Sequence, residues 1–153
     1  MTEYFKRLFS FNNWANKEIL DCLIINNIED EKIIRLMSHV AHAQGNWYKR
    51  IVNQQNDAMV WSVLSLEEIG RQLEQNGKHW LDYLNRLQEV DFRRSLHYRN
   101  LQGQPFTNDI QDILAHVVNH STYHRGQIIL SIRNAGYPPP LTDYIYYARL
   151  FPG

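Results

Sequence analysis

The chain has 153 residues, with 16 basic and 16 acidic side chains, a formal net charge of zero and an apolar fraction of 44%. That balance excludes the basic footprint of a nucleic-acid-binding protein, and the apolar share is enough for the core of one domain spanning residues 1–153. One cysteine, Cys22, excludes a disulfide framework and a thiolate metal cage.

The N-terminal M-T-E-Y-F-K-R has no long apolar run after its charges, so no signal peptide is read there. No stretch approaches the roughly 18 apolar residues of a membrane span. A soluble cytoplasmic protein with no membrane partner is expected. The first helix is predicted from about Glu3 to Ile24, with Phe5, Phe9, Ala15, Ile19 and Leu23 on its apolar face and an irregular F-S-F-N-N-W stretch within it. A second begins near Glu29-Asp30-Glu31, where acidic residues suit the helix dipole, and turns Ile33, Met37, Val40, Gln44, Trp47 and Ile51 to one face. A third opens on a capping box, Ser65 with Glu68, and runs to about Leu87. The stretch from Phe92 to Phe106 alternates and holds a glycine turn, which predicts a short hairpin. The last long helix follows Thr107 or Asn108 as N-cap and is stopped by Ala135-Gly136 and the prolines 138–140. The aromatic tail L-T-D-Y-I-Y-Y-A-R-L is expected to add a helical turn or a short helix. The expected fold is therefore all-α, a four-helix bundle with a hairpin or irregular segment between helices three and four.

The fourth helix carries H-V-V-N-H-S-T-Y-H-R-G-Q, with His116, His120 and His124 at four-residue spacing. On a helix each follows the last by about 40°, so the three form one stripe. Imidazole is the commonest side-chain metal ligand. The three histidines span about 12 Å of helix axis, too far for one ion, so an adjacent pair is expected to bind with a third ligand from elsewhere. Spacing does not choose between His116/His120 and His120/His124. Candidates for the third ligand are His39, His42, His79 and His97. His39 lies on the flank of helix two facing inward; His42 is expected to point away from the core, and His79 and His97 to lie at the surface. Arg125 is about 100° from His124 and is expected at the helix surface, in a salt bridge. Gln127 is placed to bond a ligand histidine, Tyr123 suits packing as well as function, and Cys22 reads as a small core residue. No helix shows the Glu-x-x-His of a di-iron site.

Taken together, N-N-W-A-N-K-E-I-L in helix one, M-S-H-V-A-H-A-Q-G-N-W in helix two, H-V-V-N-H-S-T-Y-H-R-G-Q-I in helix four and the following A-G-Y-P-P-P-L-T-D-Y-I resemble the DinB family, within the wider group of DinB and YfiT-like metalloproteins. The resemblance covers nearly the whole chain in order. It implies a bundle that binds one divalent ion through His39, eight residues before Trp47, with His120 and His124. His116 becomes a supporting neighbour. Gln44 stands five residues after His39, where such proteins often carry an acid, so a supporting carboxylate is missing there.

Three neutral imidazoles leave a tetrahedral ion one open position, unlike a closed structural zinc site. Zinc or nickel suits such a set. The resemblance extends to transferases that use small thiols such as bacillithiol or mycothiol, so the leading expectation is a metal-activated low-molecular-weight thiol attacking an electrophilic small-molecule substrate. Metal-assisted hydrolysis is the alternative enzyme reading, weakened because Asp109 and Asp112 lie two to three turns from His120. A non-catalytic stress-response protein with a structural metal is the alternative outside enzymes. The resemblance, with an aromatic surplus, also implies a homodimer.

Overall fold

The computed structural model describes residues 1–55 and 59–152. In chain order these form α1 (Thr2–Ile25), α2 (Glu31–Ile51), α3 (Leu66–Arg86), a 3-10 turn (Glu89–Arg93), β1 (Ser95–Arg99), β2 (Pro105–Asp109), α4 (Ile110–Asn134) and α5 (Tyr144–Leu150). The long helices make the expected bundle. α1 packs on α3 and α4, and α2 packs on the same two. The first two helices therefore take opposite corners, and α2 and α4 share an edge. Gly77 allows α1 to approach α3, since an added methyl there would lie 2.8 Å from Asn13 Nδ2.

The helix ends follow local chemistry. The Asp30 side chain caps α2 by accepting from Ile33 N at 3.0 Å. The capping box at α3 is present in both directions: Glu68 N donates to Ser65 Oγ, and Ser65 N donates to Glu68 Oε2. Past the end of α4, Gly136 takes φ +85°, and Tyr137 N reaches back to Ile132 O.

The start of α4 differs from expectation. Asp109, not Thr107 or Asn108, holds the N-cap position, with no side-chain cap bond. Both residues belong to the hairpin, where β1 and β2 pair antiparallel with His97 opposite Thr107 and Leu96 opposite Asn108. Their side chains serve cross-strand bonds instead: Thr107 Oγ1 with His97 Nδ1 at 2.8 Å, and Asn108 Oδ1 accepting from the Tyr98 hydroxyl at 2.8 Å.

Two large apolar clusters fill the interior, and a small third one joins Phe11 and Ala15 to Tyr147. Of the large pair, one gathers Phe5, Phe9, Trp80, Leu84, Phe92, Ile110 and Leu114; the other gathers Ile19, Leu23, Ile33, Met37, Ile69, Ile128 and Ile132. Burying a side chain of this size contributes about 1.5–3 kcal/mol. Between the clusters along each helix lies a buried polar belt: Asn12 and Asn16 of α1, Gln44 of α2, Asn76 of α3, Ser121 and Arg125 of α4. Most of its groups bond across helices, as buried polar groups generally do, while Asn12 Nδ2 has no partner among the described residues. Gln44 Nε2 donates to Ser121 Oγ at 3.0 Å, Asn76 Nδ2 to Ala41 O at 2.9 Å, and Trp80 Nε1 to Gln44 O at 3.2 Å. His39 of α2 and the histidines 120 and 124 of α4 stand at the same height, on the edge those helices share. No helix is long and apolar enough to cross a membrane among the described residues.

Candidate metal centre

The stripe on α4 and the flank of α2 meet as the sequence leads one to expect. One ring nitrogen from each of His39, His120 and His124 lies within 4.8 Å of the other two. His39 and His124 are buried and His120 is half-buried. The ring centroids are 4.5 Å apart for His39 and His124, 4.5 Å for His120 and His124, and 5.0 Å for His39 and His120.

Hydrogen bonds fix which nitrogen of each ring turns inward. A carbonyl only accepts, so the 3.0 Å contact from His39 Nδ1 to Val60 O puts the proton on Nδ1 and leaves the Nε2 lone pair free. His124 Nδ1 donates likewise to Gln127 Oε1 at 2.8 Å, the role expected of Gln127. Outer partners of this kind orient metal-binding imidazoles. His39 Nε2 and His120 Nε2 stand 3.1 Å apart. Nitrogens bound 2.0–2.1 Å from a tetrahedral ion would lie about 3.3 Å from each other, so this pair already has the spacing an ion requires. Metal-free, the two can meet only with a proton between them, donated by His120.

Charge points the same way. Burial drives the His120 pKa down to about 3, helped by the neighbouring imidazoles of His124, His39 and His116. Burial also lowers that of His39, against the opposing pull of the Val60 carbonyl. Both rings are neutral at pH 7, the form in which imidazole binds a metal. The residues present therefore fit a divalent ion held by three nitrogens.

The remaining histidines separate from this cluster. His116 sets its ring edge-on against Trp47 at 5.1 Å and lies 5.5 Å from the His120 ring. His79 stacks on Tyr48, and His97 is exposed on the hairpin. His42 corrects the sequence reading: it is buried, not turned to solvent, because the segment after α2 folds over its face and Ser62 Oγ meets its Nε2 at 2.9 Å. Arg125 is a second correction. It is only 2% exposed and makes no salt bridge among the described residues; α1 covers it, and its guanidinium donates to Asn12 Oδ1, Asn16 Oδ1 and Thr122 Oγ1 while lying over Phe11. Burial lowers its pKa to about 9, which leaves it protonated at neutral pH. Cys22 sits at the margin of the core, not within it, with Sγ 3.8 Å from Pro138 O. The Gln44 amide bonds Ser121 in the polar belt.

The sequence reading missed the segment that covers the site. Trp61 stacks on His39 with ring centroids 3.8 Å apart and planes 13° from parallel, and Val60 supplies the carbonyl for the same ring. The signal was M-V-W-S, an apolar and aromatic run that belongs to no helix. Beside His39 and His120 opens a cleft of about 230 Å³, walled by Trp47, Arg50, Asn46 and Leu101 among others. A larger groove of about 640 Å³ runs between α1 and α3, away from the histidines.

Comparison with known proteins agrees with this fold. The chain is 26% identical to "Protein DinB" of Bacillus subtilis (strain 168), over 96% of its own length and 95% of that protein's. Its fold is similar to the crystal structure of a DinB-like protein from Bacillus cereus ATCC 10987, with a TM-score of 0.72 and 18% identity over 91% of this chain and 95% of that one. A family model described as "DinB family" matches residues 1–151. With helices, histidine cluster and whole-length match in accord, the chain belongs to the DinB family.

Proposed function

We propose that the chain binds one divalent ion through His39, His120 and His124 and uses it as a transferase, activating a small thiol for attack on an electrophilic small molecule. The observation that carries the reading is the convergence of three imidazoles, two of them with Nδ1 committed to outer acceptors and Nε2 left toward a common point. Three protein ligands leave a coordination position for a co-substrate. Zinc is the first expectation and nickel the second, since both accept imidazole. When bound, the ion supplies Lewis acidity that makes a thiol or a water molecule a stronger acid.

The chain's own residues do the rest. Val60 and Gln127 hold the rings, Trp61 sheds water from the outer face of His39, and the cleft beside His39 and His120, walled in part by Trp47, gives a small substrate room. The described residues lining that cleft include no carboxylate. Attack by water ordinarily wants a general base, whereas a metal-bound thiol loses its proton without one, so this favours the thiol over the hydrolytic reading. A homodimer belongs to the same proposal, with the exposed Ile145, Tyr146, Leu150 and Phe151 of the C-terminal segment offering apolar surface.

The test is conjugation of monochlorobimane to a panel of low-molecular-weight thiols, with and without metal. Metal-dependent conjugation supports the transferase. No conjugation, with hydrolysis of model esters or amides, replaces it by the hydrolase. No turnover of either kind, with a chelator-sensitive melting temperature, leaves a structural metal. Sedimentation of the metal-loaded protein decides the dimer.

A further inference from the structure

Residues 59–64 have no regular secondary structure, yet they are fastened to one side of α2 at successive points. Leu64 N donates to Ser38 Oγ at 3.0 Å, and the Ser38 hydroxyl proton goes to Ile34 O. Ser62 Oγ lies 2.9 Å from His42 Nε2 and 2.9 Å from Met59 O. A hydroxyl has one proton; with that proton on the Met59 carbonyl, His42 Nε2–H is the donor to Ser62. Between these two fastenings Val60 O accepts from His39 Nδ1, and Trp61 lies flat on the His39 ring. Trp61 is 52% exposed, so its stacking on His39 is not the by-product of burial in a core.

We propose that segment 59–64 is a latch on the metal centre, closed by the Ser62–His42 and Leu64–Ser38 bonds, that fixes His39 for the ion and slows the ion's release. The proposal rests on the metal-binding reading. With the latch closed, Val60 holds the proton on His39 Nδ1 and keeps Nε2 directed inward, while Trp61 stops the ring from turning. With the latch open, His39 regains both tautomers and its rotation, and the outer side of the site meets water. His42 and Ser62 are positioning residues: neither reaches the clustered nitrogens, and both act through Val60 and Trp61. This also accounts for a histidine at position 42 that is buried and yet outside the cluster.

The test loads the full chain with one equivalent of zinc and follows transfer of that zinc to excess chelator, with tryptophan emission recorded in parallel. His42→Ala and Ser62→Ala are expected to keep one zinc per chain and release it about tenfold faster, the low end of what lost outer partners cost. His42→Gln, which restores an N–H donor, is expected to recover slow release, an outcome that general destabilisation would not give. The emission change on loading is expected to disappear in Trp61→Phe. Should His42→Ala not fold, Ser62→Ala carries the test, since it removes only a half-buried hydroxyl. Unchanged release in a folded Ser62→Ala that holds one zinc overturns the latch alone. A wild-type chain that takes up no zinc overturns the metal reading and the latch with it.

Discussion

At the scale of single residues, His120 is the pivot of the site. It is the only one of the three clustered rings that lies within 4.5 to 5.0 Å of both others and also neighbours His116. His120→Ala is expected to abolish stoichiometric metal uptake, while His116→Ala retains it with a modest loss of affinity; elemental analysis of each purified variant decides. Proton linkage gives a second expectation. Burial lowers the pKa of His39, His42, His116 and His120, the last to about 3. Unfolded, each takes up a proton near pH 6.5. Between about pH 6.5 and pH 3 the unfolded chain therefore binds more protons than the folded one, and stability must fall as pH falls through that window. The melting temperature of metal-free protein is expected to be level above about pH 7 and to drop steadily toward pH 5; a rise toward pH 5 would contradict imidazoles that the fold holds neutral. The choice of His39 over His42 was legible in part, because helical spacing put His39 on the inward flank. The burial of His42 was not: a helix's periodicity reports the helices packed on it, and what covers His42 is an irregular segment. Arg125 failed for a related reason. Its angle from His124 was right, but α1 occupies that side, and the clue was Asn12 and Asn16 interrupting the apolar face of α1.

At the scale of elements, helix termini were the most readable features, since a cap is a local bargain between one side chain and one backbone N–H. Ser65→Ala is expected to destabilise the protein by about 1 kcal/mol through loss of the capping box, measured as a shift in denaturant midpoint with unchanged slope. The start of α4 was misplaced by one or two residues because Thr107 and Asn108 are good caps in isolation, and only strand pairing with β1 takes their side chains away. The segment 59–64 was the element least visible in advance. It has neither helical nor strand periodicity, and its role depends on Ser38, His39 and His42, some twenty residues earlier.

At the scale of the whole molecule, the apolar clusters supply the burial while the polar belt between them fixes the relative height of the helices. A buried polar layer has few alternative registers in which every group is satisfied, and the histidine cluster stands in the same layer. Arg125→Ala is expected to cost about 2–4 kcal/mol, since it removes charge-assisted bonds and leaves the Asn12 and Asn16 carbonyl oxygens unpaired. The same variant should weaken metal binding, because Arg125 adjoins His124 on the helix that carries two of the three ligands. Chelation should lower the melting temperature of the wild-type chain and leave that of His120→Ala unchanged, by simple linkage of binding to folding.

The most direct test is the metal content of the chain purified without added metal, set beside His39→Ala, His120→Ala, His124→Ala and His116→Ala prepared identically. The account predicts close to one divalent ion per chain in the wild type and in His116→Ala, and little or none in the other three. A wild-type chain that holds no ion even after incubation with zinc or nickel, or a folded His120→Ala that retains a full equivalent, would contradict it.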